Sequence, residues 1–385
     1  VLSVRIFTMT EKKRARDYGI PLRGIPGEHN NITDVPGVEV GYSTLSGYSA
    51  DVNTGVTSIF CRGSHRPCIP CSAGIFSLNG NGELTGSHWV EERGAVSTPI
   101  VLTNTLAVGT CHRALIDWIN TNYPDAGGLW MLPVVAETFD GYLSDIRGNH
   151  ITPEHVYESL RTARGNCRIE EGGVGGGCGM TSYGYRAGSG SSSRVVPYGT
   201  ETYHVGVFVQ ANFGKRHQLT IAGIHMGDAL SDDNPMGAPS STDTSCTVEG
   251  AGSIIVIVAT DAPMLPGQCK ALARRVSMGI ARTGSSCSHF SGDIFLAFST
   301  ANDGALTSEP PPSKSDPANE TLETLQYIPW GRMDRFYEAV VHATEEAIIN
   351  ALFAGEETVG FKGHRVPGLP IEKVVDILQQ KNVLV

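Results

Sequence analysis

Charge is what this chain has least of. Asp, Glu, Lys and Arg make up 18% of its 385 residues, against about a quarter in ordinary soluble domains, and so thin a polar coat implies a large buried core. The net charge is -10, which argues against a nucleic-acid partner, since a phosphate-binding surface demands clustered cations. No apolar run reaches about 18 residues, so no membrane-spanning helix is expected. The mildly apolar start, residues 1–9, is too short and wrongly flanked for a secretory leader, and a cytoplasmic location is expected. Two catalytic signatures are missing: there is neither a GxSxG elbow nor an HExxH pair. The nine cysteines are odd in number and scattered, which argues for reduced, packed thiols rather than a disulfide framework. Cys61, His65, Cys68 and Cys71 offer one CxxC without a second, so neither zinc nor any other cofactor is expected.

Glycine, in contrast, is plentiful at 46 residues, yet with 21 prolines it stays short of the roughly 25–30% that marks low complexity, and tight turns are the reading. The basic run Lys12-Lys13-Arg14 reads as a solvated tail. Strands are expected at 38–42, 56–60, 75–78, 99–102, 130–136, 203–209 and 219–224, where apolar residues alternate or run together. Helices are expected at 106–119, at 266–282 with apolar residues every three or four, at 333–353 and at 371–378. Thr152-Pro153 predicts another helix start, with a capping hydroxyl and proline at the first helical position. The glycine cluster 172–179 lacks a phosphate-loop lysine and reads as close backbone packing or a flexible rim. Residues 186–200, rich in Gly and Ser, are expected to be exposed, and 225–249 has the composition of a linker.

Chemistry concentrates between residues 250 and 302. Gly252-Ser253 opens the apolar run 254–259, and His289-Phe290-Ser291-Gly292-Asp293 leads into a second, 294–298. Two buried strands therefore each begin at a serine, with an acid beside the second. Glycine before Ser253 lets the backbone bend enough for the hydroxyl to attack the Gly252 carbonyl. The chain would then cut itself, and Ser253 would become a new N-terminus whose α-amine, of pKa about 7.7–8.0, serves as its base. In that scheme Ser253 attacks a substrate carbonyl, Asn212 donates to the oxyanion, and Ser291 with Asp293 orients and polarises the Ser253 amine and hydroxyl. Glu137 ends a buried strand, where polar groups often face a cleft. Each signal alone is weak: a serine opening a strand and an Asn-Phe-Gly triplet are most often turn residues, and Glu137 is equally well a surface ion-pair partner.

Together they resemble a known family. Gly252-Ser253-Ile254-Ile255-Val256, Ala259-Thr260-Asp261-Ala262-Pro263 and Ser288-His289-Phe290-Ser291-Gly292-Asp293-Ile294 are similar to the DmpA family, the L-aminopeptidase/D-amidase-esterases and related β-aminopeptidases. So are Asn79-Gly80-Asn81-Gly82-Glu83-Leu84-Thr85-Gly86, Val134-Val135-Ala136-Glu137-Thr138 and Val209-Gln210-Ala211-Asn212-Phe213-Gly214, and the likeness runs from about residue 20 to 380. The resemblance implies an α/β chain folded as an αββα sandwich, one large domain made of two self-cleaved segments. Residues 1–252 would hold the arm, most of the sheet and a processing linker at about 225–252, and residues 253–385 would start with the nucleophile. It implies removal of N-terminal residues from short peptides, amides or esters through an acyl-enzyme, with no cofactor. By matching position Ser253 is the nucleophile, Ser291 and Asp293 its activating partners, Asn212 the oxyanion donor and Glu137 the holder of the substrate ammonium. Phe139 stands where some relatives carry tyrosine. Processed heterodimers are expected to assemble into a homo-oligomer. Two rival readings are a self-cleaving acyltransferase that passes acyl groups to an amino acid, and a non-enzymatic relative that keeps the fold.

Overall fold

The computed structural model describes residues 12–47, 49, 51–125, 131–237, 252–308 and 320–385. Its frame is two sheets. The strands, in chain order, are β1 (Glu39–Leu45), β2 (Thr54–Phe60), β3 (Cys71–Gly80), β4 (Ala95–Val96), β5 (Ile100–Asn104), β6 (Val134–Thr138), β7 (Arg164–Gly165), β8 (Gly188–Tyr198), β9 (Glu201–Asn212), β10 (Gly252–Thr260) and β11 (Ser291–Ser299). One sheet has the order β6-β5-β2-β1-β7 and the other β8-β9-β10-β11-β3-β4. The helices are α1 (Ser87–Arg93), α2 (Val108–Asn122), α3 (Pro153–Arg161), α4 (Pro266–Arg282), α5 (Asp334–Ala354) and α6 (Ile371–Gln380).

Strand alternation explains the layering, because successive side chains point to opposite faces. On β10, Ile255 and Ile257 meet Ile100, Leu102 and Ala136 of the facing sheet. Ile254, Val256 and Val258 turn the other way, onto Leu272 and Val276 of α4 and Val340 of α5. Across the molecule, Val101 and Val135 pack under Leu115 and Trp118 of α2 and Leu160 of α3. The order of layers is helix, sheet, sheet, helix, the expected αββα sandwich.

Helix α4 begins and ends where the sequence places it, and α2, α5 and α6 lie within three residues of expectation. At α3 the proline opens the helix after Thr152 as expected, and the Thr152 N–H donates to His155 Nδ1 at 3.0 Å, the reciprocal arm of a capping box. The cluster 172–179 is close backbone packing: Gly175 to Gly177 form a buried turn. The span 219–224 is not one strand but a hairpin of Thr220–Ile221 with Ile224–His225.

Two further expectations fail. Residues 186–200 are not exposed, since β8 is buried along most of its length. Its small residues let α5 lie directly on it: a Cβ on Gly190 would stand 2.2 Å from the Ala347 carbonyl oxygen. The serines satisfy themselves on backbone, Ser191 Oγ donating to Val207 O at 2.6 Å and Ser192 Oγ to Ala343 O at 2.7 Å. Nor is the basic run wholly solvated. Arg14 is buried and pairs with Glu171 at 2.7 Å; next to it Arg16 and Arg194 both grip the fully buried Glu346 of α5, each at 2.7 Å. The arm is thereby clamped to the second sheet's helix. Of the expected linker, residues 238–251 lie outside the described residues, while Met226 and Leu230 before them are buried.

Candidate active site

The site gathers where β10 begins. This strand pairs antiparallel with β9, setting Asn212 opposite Ser253, and parallel with β11, setting Ser253 opposite Gly292. Two pieces of chain 39 residues apart in number, and a third from β9, are thus locked in register by apolar strands on both faces. Gly252 has no room for a side chain, because a Cβ there would stand 2.0 Å from the Asn212 carbonyl oxygen.

Ser253 is 3% exposed. Its hydroxyl donates to the carbonyl oxygen of Gly252 at 2.7 Å and accepts from the Gly292 N–H at 3.3 Å. The phase of β10 puts this side chain on the inter-sheet face with Ile255 and Ile257. Asn212 is fixed by both ends of its amide, Nδ2 donating to Phe139 O at 2.8 Å and Oδ1 accepting from the Thr181 N–H at 2.9 Å. Its second Nδ2–H has no partner among the described residues.

Ser291 and Asp293 share the opposite phase, that of Phe295 and Ala297 under the helices. They are bonded to each other, Ser291 Oγ donating to Asp293 Oδ1 at 2.6 Å. The pair therefore lies on the side away from the Ser253 hydroxyl, with Asp293 reaching the N–H of Ile254, the next residue. A bulge between β11 and β3 at Asp293 brings in Asn79, a residue the sequence reading left in a tight turn. Its Nδ2 donates to Asp293 Oδ2 at 3.1 Å, and its Oδ1 accepts from the Asp293 N–H at 2.7 Å. Burial pushes the Asp293 carboxyl above its ordinary range, and donors from Ser291, Cys287, Asn79 and the Ile254 N–H pull it back.

Glu137 ends β6 in the facing sheet and is 3% exposed. Thr105 Oγ1 donates to its Oε2, and the Glu83 N–H to its Oε1 at 3.0 Å. Burial raises its pKa and these two donors oppose the rise. Gly82 lies between the two sides of the site: a Cβ on it would be 3.1 Å from Gly292 Cα and 3.3 Å from Glu137 Oε1. Phe139 follows, 41% exposed, with its carbonyl on Asn212. Asn79, Thr105 and Thr181 carry no site signal in the sequence, and the buried Asp140 only that of a polar group past the end of a strand. Among the described residues no group of three or more His, Cys, Asp or Glu could hold a metal ion, and no helix is long and apolar enough to cross a membrane.

A buried serine hydroxyl, an oriented amide and an acid-hydroxyl pair around a strand's first residues, in an αββα sandwich, define a hydrolase of the N-terminal-nucleophile kind. The profile of peptidase family S58 matches residues 30–366. The β-peptidyl aminopeptidase BapA of Sphingosinicella microcystinivorans is 41% identical over 96% of this chain and 93% of its own. Among solved structures, a Burkholderia β-aminopeptidase superposes with a TM-score of 0.84 at 41% identity, covering 96% of this chain and 99% of the other. The L-aminopeptidase D-Ala-esterase/amidase of Ochrobactrum anthropi, a serine aminopeptidase with a variant N-terminal-nucleophile hydrolase fold, gives 0.85 at 38% identity, covering 97% and 100%. The chain belongs to peptidase family S58. It is a self-processing serine aminopeptidase, and the acyltransferase reading is not favoured.

Proposed function

We propose that Ser253 is both the residue at which the chain cuts itself and the nucleophile that the cut releases. The observation that carries this is the Ser253 hydroxyl at 2.7 Å from the oxygen of the carbonyl just before it, at the mouth of an otherwise rigid strand. Attack of Oγ on the Gly252 carbonyl carbon forms an ester as the C–N bond breaks and the nitrogen takes up a proton. Water then hydrolyses the ester, leaving segments 1–252 and 253–385 and a free α-amine on Ser253.

That amine is the group the Ser291–Asp293 pair serves. The pair sits on the far side of the strand from the hydroxyl, so its reach is to the backbone nitrogen; it orients the amine, whose pKa of about 7.7–8.0 suits it to take the hydroxyl proton at neutral pH. Asn212 donates its uncommitted N–H to the oxyanion, a contribution of about 3–4 kcal/mol in comparable sites. Glu137, across Gly82 from the nucleophile, holds the ammonium of a substrate with a free N-terminus. Phe139, partly exposed beside it, covers the first side chain. The substrates are short peptides, amides or esters; the β-peptidyl and D-amidase/esterase names of the relatives support a site that tolerates varied backbones between the ammonium and the scissile carbonyl.

Ser253→Ala tests both halves. The purified variant should stay one polypeptide, by mass spectrometry, while the wild type separates at 252/253, and it should hydrolyse no aminoacyl-p-nitroanilide. Turnover retained by the uncut variant sinks the proposal.

A further inference from the structure

One buried acid in the site has no task in this scheme. Asp140, three residues after Glu137, is 1% exposed, and neither of its carboxyl oxygens has a hydrogen-bond partner. Thr54 and Asn104 stand near enough to lower its pKa without forming a hydrogen bond to either oxygen, Asn104 Nδ2 donating to Thr54 Oγ1 at 2.8 Å. Its backbone is held firmly, with Asp140 O accepting the N–H groups of Leu143 and Ser144, so the side chain cannot swing out to water. Leaving a carboxyl buried and unpaired costs several kcal/mol if it is charged, and native structures rarely carry such a group without a reason. Among charged neighbours Glu137, three residues earlier on β6, pushes its pKa up. From the glycine turn the Cys178 thiol faces it, pushed up to about 11 by burial and so neutral. Arg186 behind that thiol is turned onto the carbonyls of Met180 and Cys178.

We infer that Asp140 is a second carboxyl of the ammonium subsite, a positioning residue whose ionisation adds to the charge with which Glu137 holds the substrate's amine. This rests on the reading of Glu137 as the ammonium holder. In the empty site a neutral Asp140 avoids the burial penalty. A cation arriving at Glu137 favours the ionised form, and the acid gives up its proton to solvent. Burial sets its pKa at about 7, which places the switch at physiological pH. The sign follows: below that value the subsite carries one negative charge, above it two, and cations bind more tightly as pH rises.

The test is the ratio of KM values, Asp140→Asn over wild type, for β-alanyl-p-nitroanilide, whose amine stays protonated across the range. The amide cannot ionise, so the ratio should grow about tenfold between about pH 5.5 and about pH 8, the effect of one pKa unit of coupling, with kcat keeping the wild-type profile. A flat ratio overturns the inference. If the variant does not mature, calorimetry of n-butylamine binding to the wild type near pH 7, in two buffers of different ionisation enthalpy, reads the same event: proton release supports it and none overturns it. Glu137→Gln separates the underlying reading. If it leaves KM unchanged at every pH the ammonium subsite itself is misplaced, whereas a flat Asp140→Asn ratio beside a crippled Glu137→Gln removes only the role given to Asp140.

Discussion

Two buried acids flank the first residues of β10, and the protein treats them oppositely. Asp293 is surrounded by donors: Ser291 Oγ at 2.6 Å, Asn79 Nδ2 at 3.1 Å, and the Cys287 thiol and Ile254 N–H besides. Asp140, equally hidden, has none. Burial pushes both carboxyls up; Asp293 is pulled back by donors within hydrogen-bond distance, whereas Asp140 is pulled back by Thr54 and Asn104, which stand near it without forming a hydrogen bond to its carboxyl oxygens. A carboxylate held by several donors keeps one orientation and its charge, which a group that must align an amine requires. A carboxyl without donors responds to the nearest charge, which suits a site that registers an arriving cation.

The comparison breaks first at Asp293. Asp293→Asn should lower kcat by up to about 10⁴, the cost of losing a carboxylate that orients the catalytic base, and should slow the cut at 252/253, with KM shifting little. If kcat stays within about tenfold, its many donors are mere satisfaction of a buried group and the contrast with Asp140 has no catalytic meaning. Next comes Asn79→Ala. Its Nδ2–H stabilises the charged carboxylate, so its loss raises the Asp293 pKa, by about one unit for a charge-assisted bond of roughly 1.5 kcal/mol. Since ionised Asp293 is the working form, the acid limb of the kcat profile should move up by about one pH unit, with the two proteins converging at high pH. A uniform drop at all pH values would mean Asn79 shapes the strand end and not the ionisation.

The two acids also differ in how they could be found. Ser253, Asn212 and Asp293 stand next to long apolar strands whose register follows from alternation, so the strands that carry them announce the site. Helix α4 was legible for the same reason, with Pro266 at its start and buried Cys269, Leu272, Val276 and Ile280 on one face. Asn79 was hidden by its company: Asn-Gly-Asn-Gly reads as a turn whatever its first side chain does, and only the bulge opposite Asp293 gives it a partner. Asp140 lies just past a strand, between Phe139 and Gly141, where nothing in spacing distinguishes a buried acid from a solvated one. Strand β8 was missed because Gly-Ser-Gly-Ser-Ser-Ser is loop composition by local propensity, and the close approach of α5 that makes small residues necessary there is a tertiary fact. Arg14 was missed likewise, since its partner Glu171 is far away in sequence.

The finest test of the contrast concerns the weakest of the Asp293 donors. Cys287 is half-buried and sits in the left-handed backbone region at φ 55, a conformation that costs a non-glycine residue of order 1 kcal/mol. Its thiol is pushed up to about 12, by burial first and then by the charge of Asp293. It therefore stays protonated at every working pH, acting as a donor to the carboxylate and not as a nucleophile. A thiol is a poor donor, and its bond is worth about 0.5 kcal/mol. Cys287→Ala keeps the backbone strain and removes only that bond, so kcat should fall no more than about twofold and its acid limb should rise by roughly a few tenths of a pH unit. Iodoacetamide should label the wild-type thiol slowly, the more so the better Asp293 keeps its charge. Rapid labelling at neutral pH would mean a thiolate beside a neutral acid, and the donor shell of Asp293 would then be the reverse of the one described.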